Sequence, residues 1–82
     1  MNNFFRRLKK KALLKELKIW TDLMEEYNEE IVCIDKTIEE DKDNLFKQEE
    51  SRLKQLKAQH LEAYNNAKLE AERITKELKS LD

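Results

Sequence analysis

The sequence contains no glycine and no proline among its 82 residues. Glycine and proline end helices, bend them and build tight turns, so a chain without them favours long, uninterrupted helices. A β-sheet built from a chain of this length would need several tight turns, and the residues that usually form them are missing. The sequence therefore predicts an all-α fold and excludes a strand-rich one.

Cysteine and long apolar runs are also scarce. Cys33 is the single cysteine, so the chain has no intramolecular disulfide framework and nothing points to an oxidising compartment. No apolar run approaches the length that crosses a bilayer, and no apolar segment of the signal-peptide kind follows the charged start. We therefore expect a cytoplasmic protein, or one that is exported without a recognisable signal.

Motifs for catalysis and for metal binding are missing as well. Without glycine there is no phosphate-binding loop, and the sequence has no nucleophile elbow and no paired metal-ligand motif. One histidine and one cysteine do not complete a zinc site within a chain, so we interpret His60 as a core-edge histidine and Cys33 as a small buried hydrophobe. The sequence predicts a protein that is not an enzyme, with no metal, no cofactor and no small-molecule substrate.

The apolar residues that are present, 39% of the chain, are regularly spaced, which distinguishes the sequence from a disordered one. In the first half they recur in steps of four and three, and this heptad spacing places them in one seam along a helix. We predict a first helix from about residue 3 to about residue 40. The seam residues are Leu13, Leu17, Trp20, Met24, Tyr27, Ile31, Ile34 and Ile38.

Residues 39–44 contain no apolar side chain and are the predicted break, a turn at about residues 41–44. Asp43 or Asn44 is the expected N-cap of a second helix at about residues 45–81, because short polar side chains accept hydrogen bonds from free backbone amides. Its predicted seam is less regular, with small residues in the middle. The residues of this second seam are Phe46, Leu53, Leu56, His60, Tyr64, Ala67, Ala71, Ile74, Leu78 and Leu81.

The position of the break predicts a single domain over residues 1–82, folded as an antiparallel helical hairpin. Folding at the midpoint would place residue i near residue 84 minus i, so that Trp20 would face Ala63, Tyr64 and Ala67, and Ile31 would face Leu53. Bulky residues opposite small ones are typical of close helix packing. The alternative is one continuous helix that pairs with a second copy as a long coiled coil.

The first helix has more apolar surface than one partner helix would cover. A second stripe, formed by Phe5, Leu8, Ala12, Ile19 and Leu23, lies beside the seam on a helical wheel. We expect another surface to bury it. Two hairpins in a dimeric four-helix bundle or coiled coil would do so, as would a groove on another protein.

Charge is segregated along the chain: residues 1–20 carry a net charge of +6, residues 21–50 of −9 and residues 51–82 of +2. Basic residues at a helix start oppose the helix dipole, so they are expected to meet an external negative charge. We predict that the basic, aromatic start and part of the second stripe bind a partner. The predicted partner-binding residues are Phe4, Phe5, Arg6, Arg7, Leu8, Lys9, Lys10, Lys11, Ile19, Trp20 and Leu23.

These patterns favour a non-enzymatic protein–protein interaction module: an adaptor, an assembly or scaffold subunit, or a small protein inhibitor. Its expected partners are a second copy of the chain, in a homodimer, and another protein. The alternative is a peripheral binder of a membrane surface or of nucleic acid, because residues 4–11 combine aromatic side chains with a basic cluster.

Overall fold

The computed structural model describes residues 2–81, with side chains from residue 3, and consists of two helices. Helix α1 comprises Asn2–Glu40 and helix α2 comprises Lys47–Leu81, and the two pack against each other along their length. The hairpin measures 65 × 14 × 13 Å. The prediction of an all-α hairpin is confirmed, and the alternative of one continuous helix is wrong.

The heptad seam predicted for α1 forms the side of the helix that faces α2. Leu13, Ile31 and Ile34 are buried, and the other five predicted positions are half-buried. Apolar side chains at steps of four and three share one face of a helix, so a single partner helix covers them together. This face also includes half-buried flanking residues, among them Glu16, Leu23 and Glu30.

The connection between the helices is six residues long, from Asp41 to Phe46. The carbonyl of Asp41 accepts hydrogen bonds from the amides of Asn44 and Leu45, at 2.9 Å each. The carbonyl of Phe46 accepts the first bond of α2, from the Glu50 amide at 3.0 Å, so Phe46 occupies the N-cap position. The prediction that Asp43 or Asn44 caps α2 is therefore wrong.

The seam of α2 is more regular than the sequence suggested. An unbroken series of half-buried and buried positions follows alternating steps of three and four from Glu50 to Leu81, because Glu50 and Lys57 occupy seam positions. Two predicted seam residues are wrong: Leu56 is 41% exposed and Phe46, in the connection, is 75% exposed. Charged residues at seam positions concealed the heptad.

The register of the hairpin also differs from the prediction. Ion contacts join Glu16 to Arg73 and Asp35 to Lys57, and the residue numbers in these pairs total 89 and 92 instead of 84. The difference arises because α2 begins only at Lys47, which moves every residue of α2 toward the turn. Trp20 therefore lies opposite the helical turn between Ala67 and Ala71.

The tightest packing lies between the middle of α1 and the second half of α2. Ile74 is 0% exposed, Ala67 is 1% exposed and Ala71 is also buried, whereas every large side chain of the α2 seam near the turn is partly accessible. Small alanines allow the two helix backbones to approach each other, and the bulky residues of α1 fill the space beside them. The large-against-small packing expected from the sequence is thus present, one to two helical turns further along α2.

Candidate interaction surfaces

The predicted partner-binding residues fall into two groups. Residues 4–11 and Ile19 have exposed side chains on the outer surface of α1. Trp20 and Leu23 are half-buried at the contact with α2. The sequence pattern therefore identified an accessible apolar and basic surface, and it also assigned to that surface two residues that contribute to the hairpin itself.

Trp20 is an unusual member of the seam. Its indole Nε1 is buried and has no hydrogen-bond partner among the residues that the structure describes. A buried N–H without an acceptor reduces the stability gained from burying the ring. The carbon skeleton of the indole therefore supplies the packing, and the polar atom adds nothing to it.

The basic start of α1 lies beside the end of α2. Arg6, Arg7 and Lys10 form a shallow concavity with Asn3 and Leu81. The last carbonyls of a helix carry partial negative charge, so cations near them are favoured. Next to this concavity, Phe4 and Phe5 meet edge to face with ring centroids 5.7 Å apart, and both rings are exposed. Apolar and basic groups are thus accessible together at this end.

An apolar groove that sequence reasoning missed runs along one side of the hairpin. Leu17, Met24 and Ala71 line it, and the rest of its lining is polar. The groove could have been predicted, because all three are seam residues and a single partner helix covers only one side of each seam side chain. Its polar rim is formed by Thr21, Lys68, Glu72, Thr75, Lys76 and Lys79.

A second groove, nearer the turn, contains Cys33 and His60. Cys33 is exposed, so its interpretation as a buried hydrophobe is wrong. The four consecutive apolar residues Ile31–Ile34 point to all sides of α1, and α2 covers only one side. Cys33 therefore lies beside the seam and stays accessible. His60 is half-buried, as expected for a histidine at the edge of a core.

His60 is held by contacts on both ring nitrogens. Nδ1 lies 2.8 Å from the Leu56 carbonyl oxygen, Nε2 contacts the Glu30 carboxylate, and the Tyr27 ring packs edge to face at 6.0 Å. The ring thus joins α2 to α1, and neither nitrogen is directed at the Cys33 thiol.

Arg73 makes the most extensive set of ion pairs in the described part of the chain. Its guanidinium contacts Glu70 at 3.0 Å and Glu77 at 2.7 Å on α2, and Glu16 at 3.3 Å on α1. The hydrogen bond to Glu70 and the charges of Glu70 and Glu77 raise the pKa of Arg73 above its ordinary value, although partial desolvation acts in the opposite direction. Arg73 therefore stays charged and links the two helices.

The fold converts the charge segregation of the sequence into two ends of opposite sign. We call residues 2–22 with 66–81 the open half, and residues 23–65 the turn half. The open half has eleven basic and five acidic residues, and the turn half has six basic and twelve acidic residues. The hairpin is therefore positive at one end and negative at the other, over a length of 65 Å.

Residues 2–81 contain no group of three or more histidine, cysteine, aspartate or glutamate side chains placed to hold a metal ion. Neither helix in that range has an apolar stretch that would cross a bilayer. No protein-family model, curated protein or solved structure matches the chain.

Proposed function

We propose that this protein is a non-enzymatic interaction module, an adaptor, assembly subunit or small protein inhibitor, that acts by packing α1 against protein partners. The observation that carries the proposal is the exposure of the second apolar stripe. Phe5 is 65% exposed and Ile19 is 59% exposed, although α2 is already packed against the neighbouring face. Burying large apolar side chains of this kind is the main source of affinity between helical surfaces.

The basic residues at the same surface determine which kind of partner is favoured. Arg6, Arg7 and Lys9 lie among Phe5 and Leu8 on the first turns of α1, and all five are exposed. Basic groups at the edge of an apolar surface accelerate encounter with acidic partners and disfavour basic ones. The expected partner surface is therefore apolar and bordered by carboxylates.

The test compares the native chain with a Phe5→Glu, Leu8→Glu variant as bait for cross-linking and affinity capture from the cells that produce the protein. The native chain is expected to retain a defined protein partner, and the variant is expected to lose it, because two charges would enter the apolar contact. Phe46→Glu is the matched control, since Phe46 is equally apolar and 75% exposed but lies in the connection. Equal capture by all three proteins would contradict the proposal.

A second candidate function, attachment to an anionic surface, is favoured by the exposed pair Phe4 and Phe5 beside the basic cluster. Aromatic rings enter the boundary of a bilayer while lysines and arginines contact headgroups, and the same cations contact nucleic acid phosphates. Phosphatidylserine vesicles that bind the native chain and release the Phe5→Glu, Leu8→Glu variant would favour a membrane. Salt-sensitive binding to a DNA or RNA duplex that survives the neutral change Phe4→Ala, Phe5→Ala would favour nucleic acid, because the cations remain.

A further inference from the structure

The exposed face of α1 carries its apolar residues at equal distances on either side of Ile19. Residues 5, 12, 19, 26 and 33 are seven apart and share one line along the helix. Phe5, with Leu8 on the neighbouring turn, lies 14 residues before Ile19, and Cys33 lies 14 residues after it. All of these side chains are exposed. Each outer group is about 21 Å from Ile19, at about 1.5 Å per residue.

The charge on α1 reverses sign across the same point. Four of the five lysines that precede Ile19 on α1, and four of the six glutamates that follow it on α1, lie at comparable distances from it. The helix ends show the same order, since the first turn has no acidic residue and the last turn has no basic one. Both ends oppose the dipole of α1; α2, which runs in the reversed direction, offsets part of that cost, and a second antiparallel helix would offset more of it. The residues are Lys9, Lys10, Lys11 and Lys15, and Glu25, Glu26, Glu29 and Glu30.

A surface with symmetric apolar spacing and reversed charge is complementary to a second copy of itself turned end to end. We propose that a second copy of the chain binds this face in an antiparallel dimer, with the two-fold axis at Ile19. The inference rests on the proposed function and names the partner. Phe5 packs against Cys33 of the second copy, and Ile19 packs against its own counterpart on the axis.

The polar residues between these groups fit the same pairing. Lys9 lies on the same flank of the interface as Glu30 of the second copy, and Ala12 leaves room for the Glu26 side chain. Leu8 lies opposite Glu30, whose carboxylate is directed toward His60 of its own hairpin, so that its aliphatic stem faces Leu8. Every contact away from the axis occurs twice in a two-fold interface, and a substitution changes both copies at once.

Cysteine cross-linking tests the position of the axis. In an Ile19→Cys, Cys33→Ser variant, diamide takes two electrons and the two thiol protons from cysteines that meet on the axis, and a disulfide-linked dimer is expected within minutes. Leu14→Cys, Cys33→Ser is the matched control, because Leu14 is also exposed but lies away from the line of residues 5, 12, 19, 26 and 33. We expect this control to remain uncross-linked under the same conditions.

The orientation is tested with the native cysteine. In the antiparallel dimer the two Cys33 side chains are about 42 Å apart, so the native chain is not cross-linked. A Phe5→Cys variant that keeps Cys33 is expected to form a linked dimer, and Phe5→Cys with Cys33→Ser is not. Rapid Cys33 to Cys33 linkage in the native chain would indicate a parallel pairing and overturn the inference.

Sedimentation equilibrium provides the independent measurement. The native chain is expected to be dimeric at micromolar concentration. Ile19→Glu is expected to raise the dissociation constant of the dimer by at least about a hundredfold, because residue 19 of both copies is buried at the axis. Ile19 is exposed in the hairpin, so the helical circular dichroism should persist. A native chain that stays monomeric at ~100 μM would overturn the dimer, and captured partners that depend on Phe5 and Leu8 would still support the proposed function.

Discussion

The open half and the turn half of the hairpin use the same heptad geometry with different chemistry. In the open half, Ala67, Ala71 and Ile74 of α2 are buried against the seam of α1. In the turn half, the corresponding positions of α2 include Glu50, Lys57 and His60, each half-buried. The seam of α1, by contrast, is apolar in both halves, and Ile31 and Ile34 are buried near the turn.

The difference shows that the two helices have unequal roles in specifying the hairpin. Apolar burial stabilises a helix pair far more than exposed ion contacts do. The turn half buries Ile31 and Ile34 of α1 against a largely polar stretch of α2 and adds contacts such as the Asp35 to Lys57 pair, whereas the open half buries apolar residues of both helices. We expect local opening to begin near the turn on α2, and the following changes test this difference from the largest effect to the smallest.

Ile74→Ala is expected to have the largest effect, a loss of about 3 kcal/mol in the free energy of unfolding. The side chain is 0% exposed, and its removal leaves a cavity that two rigid helices fill only in part. Urea denaturation followed by circular dichroism measures the change at fixed protein concentration. Leu69→Ala on the exposed side of α2 is the control, and an equal loss in both variants would refute the assignment of the core to the open half.

Lys57→Leu is expected to stabilise the protein by about 1 kcal/mol, because it supplies the apolar seam residue that the turn half lacks and removes only a partly exposed ion pair. Hydrogen exchange should slow at the amides of residues 50–60 and change little near Ile74. Lys54→Leu is the control: Lys54 is more exposed than Lys57 and also loses an ion pair, with Glu50, so its replacement is not expected to stabilise the protein. A destabilised Lys57→Leu variant would mean that Lys57 is not a seam residue.

Arg73→Gln is expected to have the smallest effect, because its ion pairs are accessible to water and are screened by salt. The thermal midpoint should fall slightly at low ionic strength, and the difference from the native chain should disappear in about 1 M NaCl. Arg52→Gln, an exposed arginine in the turn half, is the control. A large, salt-independent loss would show that Arg73 is a packing residue of the open half.

The sequence was sufficient for α1 and misleading for parts of α2. All eight seam residues of α1 are apolar, so periodicity alone identified the buried face. On α2, Glu50 and Lys57 occupy seam positions, and a search for apolar residues selected Leu56 and Phe46 in their place. A heptad can be recognised in a sequence only where apolar residues occupy its seam positions.

The register and the surfaces could be predicted only in part. The apolar gap at residues 39–44 located the connection, but where α2 begins depends on backbone hydrogen bonds around Asp41 and Phe46. This start shifts every contact between the helices by about one helical turn or more. The exposed stripe of α1 was visible as surplus apolar residues, whereas the lysine-bordered groove depends on which edges of Leu17 and Met24 remain open after packing.

The connection needs no special backbone conformation, since none of residues 2–81 has a positive φ angle or a cis peptide bond. The chain therefore reverses direction because the two helices pack against each other, and the loop itself imposes little conformational constraint. Doubling the length of such a loop costs only about 0.6 kcal/mol in closure entropy. The stretch from Asp41 to Phe46 is accordingly where insertions, a grafted epitope or the new termini of a circular permutant would be tolerated best.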